Sequence, residues 1–167
     1  SVSMELSIGF MPIETDTLDL PAVSAQIMTP LHENDVNYVL DVGGDNVGTR
    51  VVGRFAEHFV EGEYDMFCVV NANREQTQTA EEVVRFIESM EATSKLKVTG
   101  LINNTHFIRQ TTVEDVLKGQ KLAKEVSKLT NIPIKYVSCL RELVDSLPDD
   151  LEGDILPIDL YMREEWM

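Results

Sequence analysis

From about residue 35 onward, short apolar runs alternate with amphipathic stretches in one rhythm. VNYVLD (36–41), DMFCVVN (65–71), LKVTGLIN (96–103) and PIKYVS (133–138) are almost continuously apolar or β-branched. That is the pattern of strands covered on both faces of a parallel sheet. The stretch 79–92 opens with Thr79 and Glu82 spaced as a capping box, then sets Val83, Val84, Phe86, Ile87 and Met90 on one helical face. A second helix is predicted over 112–129. Thr112 and two acids in its first turn suit the helix dipole, and its apolar stripe is Val113, Val116, Leu117, Ala123 and Val126. A third is predicted over 49–60.

Strand, helix and strand at about thirty residues per unit are the βαβ pattern, which brings right-handed crossovers. The expected fold is α/β, a doubly wound, mostly parallel sheet with helices on both faces. A single domain over 1–167 is expected, in three parts. Residues 1–35 form a less regular N-terminal segment, with a strand candidate in ELSIGFMP and a helix candidate ended by Pro30; 36–140 form the βα core, and 141–167 a C-terminal tail, helical or extended. Within that tail, 145–154 reads as a polar, Asp-rich loop and 155–167 as an extended arm.

Charge narrows the partners. The formal net charge is −15, and neutralising phosphates takes clustered Lys and Arg, so nucleic acid is not expected as a partner. The acidity suits solubility or a basic protein partner. No apolar run reaches the roughly 18 residues of a membrane span, and the first residues lack the pattern of a signal peptide. Cys68 and Cys139 each fall inside an apolar run, which reads as two buried, reduced thiols and makes the cytoplasm the expected compartment.

In an open parallel sheet, ligands bind at the carboxyl ends of the strands. The predicted strands end there in Asp41, Asn71, Asn103 with Asn104, and Ser138. DVGGDNVG (41–48) places an aspartate at a strand end before Gly43 and Gly44. Such an aspartate can hold Mg²⁺ while glycine backbone approaches a γ-phosphate; equally, it can cap a simple turn. Asn103 and Asn104 can read a base edge through an amide's paired donor and acceptor, or form an Asx turn. Asn71 and Arg74 fall at the same edge, Arg74 as a phosphate or interface cation or as half of a salt bridge. His58 is expected on the solvated side of its helix, and His106 close to the asparagines. No serine or cysteine is placed to form a triad with a histidine, and no zinc site is suggested.

DVGGDNVG after a strand, VVNANR at the next, and LKVTGLINNTH together resemble the later part of the CobQ/CobB/MinD/ParA nucleotide-binding domain, a family of deviant-Walker P-loop ATPases. The resemblance covers the chain from about residue 20 to its end. It implies that Asp41 is the Walker B-type aspartate near Mg²⁺, that Gly43 and Gly44 are the mobile switch behind it, and that Asn104, with Asn103 beside it, reads the base. It further implies binding of ATP with Mg²⁺, a homodimer around nucleotide, and hydrolysis that switches a protein partner. The family's Gly-rich loop, G-x-x-x-x-G-K-[ST], is nowhere in this sequence, and the first lysine is Lys95. A fragment, a shortened gene, and a domain that lost nucleotide binding but kept its scaffold all remain open. Two functional readings therefore stand: an ATPase domain that is weak or inactive alone, and a non-catalytic α/β interaction module. A flavodoxin-like receiver domain is a weaker third, since no acidic pair accompanies Asp41 at an earlier strand end.

Overall fold

The computed structural model describes residues 39–43 and 46–160. The chain divides into two compact units, Ser1–Asp41 and Val42–Met167. The second contains an all-parallel sheet of β1 (Phe67–Val70), β2 (Gly100–Asn103), β3 (Ile134–Leu140) and β4 (Asp154–Ile158), in the order β1-β2-β3-β4. Helices α1 (Asn46–Gly53), α2 (Ala80–Ser94) and α3 (Val113–Thr130) complete it. This is the α/β architecture of the doubly wound class expected from the alternating runs.

The two βαβ units from β1 to β3 form where the pattern predicts them. Thr79 and Glu82 make the capping box of α2, each side chain bonding the other's backbone N–H. Thr112 and Asp115 do the same for α3. Both helices close on a left-handed residue, Lys95 at φ 60° and Asn131 at φ 58°, whose N–H returns to the last turn. α2 packs against α3, and α3 lies across β2 and β3. Consecutive strands are neighbours, so the crossover helices α2 and α3 share one face of the sheet. Between that face and those helices lies the core, built on Cys68, Val70, Leu101, Val137, Val83, Ile87, Val116 and Val126. Full burial of each aliphatic side chain contributes roughly 1.5–3 kcal/mol before conformational entropy is set against it.

Some boundaries move. The predicted 49–60 helix starts earlier and stops at Gly53, because Arg54 and Phe55 turn their N–H groups back to Val51 and Val52 in tighter bonds; a separate 3-10 turn, Ala56–His58, follows. His58 is exposed there, as expected. In 96–103 only the last four residues are strand. The N–H of Lys97 goes to the Tyr64 hydroxyl and that of Val98 to the Glu91 carboxylate, so side chains take the place of a ladder. The arm expected over 155–167 begins as β4, parallel to β3, with Pro157 on an edge strand where its missing N–H is tolerated. On α3, Leu117 is exposed, whereas Gly119, Gln120 and Leu122 are buried.

The expected strand at 36–41 is not borne out where it is described. Val39, Leu40 and Asp41 have no regular structure, and Val39 is 96% exposed. A strand needs a neighbour for its N–H and C=O groups, and these residues enter no ladder. Residues 36–38, the N-terminal segment 1–35, His32, Gly44 and the end of the tail lie outside the described residues.

Candidate functional site

The exits of β1 and β2 at the carboxyl edge of the sheet are polar, and the side chains there fall into two sets. One set is buried. The Asn103 amide donates to the Val116 carbonyl at 2.9 Å and, more weakly, to Gln120 Oε1 at 3.5 Å, and its Oδ1 accepts the Thr105 N–H at 3.2 Å. Thr105 Oγ1 accepts the Ala72 N–H at 3.0 Å, tying the exit of β1 to that of β2. Gln120 Nε2 donates to the Glu152 carbonyl at 2.8 Å, just before β4. Asn103 and Thr105 are each 1% exposed. α3 passes so close that a Cβ on Gly119 would meet Asn103 Oδ1 and Thr105 Oγ1 at 2.1 Å. This buried knot joins three strand ends to one helix, and the Asn103 amide has no bond to spare for a ligand.

The other set faces outward. Asn104 continues the ladder, its N–H donating to Val70 O at 2.8 Å, while Ser138 Oγ donates to Asn104 Oδ1 at 2.7 Å. That bond fixes the amide's orientation and leaves Nδ2 without a partner among the described residues. Asn71 folds an Asx turn after β1: its Oδ1 accepts the Asn73 N–H at 2.9 Å. Its main-chain carbonyl takes the Arg74 N–H and the Thr77 hydroxyl. Arg74 is exposed and caps the 3-10 turn Glu75–Thr77. Asn73 bridges to α3, donating to Asp115 Oδ1 and accepting from Lys118 Nζ at 2.9 Å. Burial pushes the Asp115 carboxyl upward, but hydrogen bonds from Thr112 and Asn73 and the Lys118 charge outweigh it and hold the group below its ordinary range.

After Thr105 the chain makes a braced loop. The Phe107 N–H donates to Thr111 Oγ1 at 3.0 Å, and that hydroxyl donates to the Ile108 carbonyl at 2.6 Å. The Ile108 N–H reaches His106 Nδ1 at 3.1 Å. Ile108 sits at φ 55°, a left-handed conformation that β-branched side chains rarely adopt. Beyond it, Arg109 lines an open cleft of about 500 Å³ at the carboxyl ends of β3 and β4, together with Leu140, Arg141 and Ile158. Arg141 is locked to Asp159 through Nε and Nη2, at 3.0 and 2.7 Å.

The DVGG segment is exposed throughout its described residues, Asp41, Val42 and Gly43. Within the second unit the segment is shaped by backbone contact: a Cβ on Gly48, in the first turn of α1, would meet the Gly43 carbonyl oxygen at 2.8 Å. Gly48 thus lets the loop close onto the helix start. Cys68 and Cys139 are buried and unpaired, with burial pushing Cys68 up to about 12, so neither thiol is a nucleophile at neutral pH. Among the described residues no group of His, Cys, Asp and Glu is arranged to hold a metal, and no helix is long and apolar enough to cross a membrane.

Of the predicted site residues, Asn71, Asn103 and Asn104 do gather at one sheet edge, with Arg74 on the adjoining turn. Sequence reading missed Thr105, Gly119 and Gln120, and it missed Phe107 and Lys118 in the outer set. A glycine amid strong helix formers at 119 was the one signal available. Compared with protein-family models, curated proteins and solved structures, the chain matches none.

Proposed function

We propose that this chain is the base-side and Mg²⁺-side part of an ATP-binding α/β domain of the ParA/MinD type, a partner-switching ATPase when its phosphate loop is supplied. The observation that carries the reading is Asn104. It stands at a parallel strand's carboxyl end with its amide oriented by Ser138 and its Nδ2 unengaged among the described residues, a donor available to a base edge. Asn103 beside it has its amide spent inside the fold, so base reading falls to Asn104 alone. Arg74 and Asn71 supply a cation and an amide on the neighbouring strand exit. Asp41 is an exposed carboxylate, an oxygen donor of the type Mg²⁺ takes, and Gly43 is likewise exposed. When bound, Mg²⁺ would neutralise phosphate charge; Asp41 would supply an oxygen ligand to it, and Asn104 would orient the base.

The sequence contains no Gly-rich loop with its lysine, so binding by these 167 residues is expected to be weak and hydrolysis poor. Calorimetric titration with ATP·Mg²⁺ tests the reading. Weak binding that is reduced by Asn104→Ala and by Asp41→Ala supports it; no heat at millimolar nucleotide overturns it.

A second reading, a non-catalytic interaction module, draws on a different observation. On the sheet face opposite α2 and α3, Val69 and Leu156 are exposed and Phe67, Ile102 and Tyr136 half-buried, in a chain of net charge −15. That combination suits a basic protein partner with an apolar contact surface.

A further inference from the structure

The geometry points to the loop after β2, Thr105–Thr111, as a stacking platform: Phe107 holds the flat face of the purine whose edge Asn104 reads. This rests on the nucleotide-binding reading above and adds to it a residue that binds the ring itself.

Phe107 is 54% exposed, although an aromatic side chain of that size is normally among the better buried. It is not a loose residue. Its N–H is held by Thr111 Oγ1, its carbonyl accepts the Gln110 N–H, and the Thr111 hydroxyl clamps the next carbonyl, that of Ile108. The following residue, Ile108, is kept at φ 55° by these bonds, together with the one from its N–H to His106 Nδ1. A β-branched residue in that region is disfavoured, and such strain persists only where the surroundings over-determine it. The bonds of the knot go to Val116, Ala72 and Glu152, and none of them reaches residues 106–111. These bonds hold the backbone that carries the exposed Phe107 ring just beyond the carboxyl end of a parallel strand, three residues past Asn104.

An amide whose donor is unengaged among the described residues and an exposed ring on a braced backbone are the two elements that recognise a heteroaromatic base, one by hydrogen bonding and one by stacking. Both interactions concern the base, so they operate without a phosphate loop. The ligand class is therefore a purine nucleoside, with or without phosphates, rather than an inorganic anion.

The test uses the whole 167-residue protein and two probes, adenosine and inorganic tripolyphosphate, with binding followed by saturation-transfer NMR and by chemical-shift changes. Adenosine should bind, with transfer to its ring protons and shifts at Asn104 and Phe107, and tripolyphosphate should produce neither. Phe107→Ala should weaken adenosine binding roughly tenfold, the scale of one base–aromatic stack, and Phe107→Trp should restore it. The side chain is exposed, so both variants should unfold at the wild-type urea midpoint. If wild type and Phe107→Ala bind adenosine equally, the platform is overturned while the nucleotide reading stands. If neither adenosine nor ATP·Mg²⁺ binds the wild type, both fall.

Discussion

The carboxyl edge of the sheet holds two neighbouring sets of polar residues drawn from the same stretch of chain. In the inner set, Asn103 and Thr105 are buried with Gln120 against Gly119 of α3, and every polar group there is matched. In the outer set, Asn104 and His106 alternate with them in sequence and Phe107 follows; these face outward or lie half exposed. Asn103 and Asn104 are the same side chain, and what separates them is that successive residues leave the strand on opposite faces. Polarity at a strand exit is therefore no guide to ligand contact until it is known which side chains the fold has already used.

Gly119→Ala should separate the sets most sharply. Alanine is normally the better helix former by about 1 kcal/mol, yet here its methyl group would collide with Asn103 and Thr105. We expect a loss of about 3 kcal/mol in urea unfolding, the upper range for overpacking. A stabilised protein would mean that the knot yields and is no fixed support. Next comes the pair of asparagines. Asn103→Ala should cost about 2 kcal/mol by orphaning the buried Thr105 N–H and removing the amide's bond to the Val116 carbonyl, whereas Asn104→Ala should cost less than about 1 kcal/mol. Equal losses in parallel unfolding curves would erase the distinction. The smallest effect concerns the cap of α3. Asp115→Asn should cost about 1 kcal/mol at neutral pH. The folded carboxyl titrates below its ordinary value of 3.8, so its contribution is complete above that value and disappears as pH falls through the lower, folded one. Unfolding curves of wild type and variant should therefore converge under acid.

The same alternation explains what the sequence made legible. The rhythm of apolar runs and the two caps, Thr79 with Glu82 and Thr112 with the acids behind it, are local, and they led directly to three strands and two helices. Leu117 was placed on the buried stripe because it is apolar, but the face of α3 that meets the strand exits is occupied by Gly119 and Gln120, since polar groups lie opposite. A helical wheel sorted by hydrophobicity cannot see a polar neighbour contributed by another element. β4 was read only as an arm because Pro157 and the acids around it weaken the strand pattern, and its pairing to β3 is a tertiary fact. Val39 and Leu40 show the reverse error: an apolar run without a ladder is not a strand. For the site, the positions of the asparagines were readable, but the division of labour between Asn103 and Asn104 was not, because it depends on Val116, Gln120 and Ser138 arriving from elsewhere in the chain.

The order β1-β2-β3-β4 also bears on how the protein is made. Among the described strands each pairs with the one synthesised just before it, so none of these pairings waits for a distant segment to thread between two finished strands. Met66 meets Thr99 across 33 residues, one βαβ unit, and the next unit repeats that span. Closing loops of one unit at a time keeps the entropic barrier low. Such a sheet can zip up from β1 toward β4 as the chain leaves the ribosome, each finished unit serving as the template for the next.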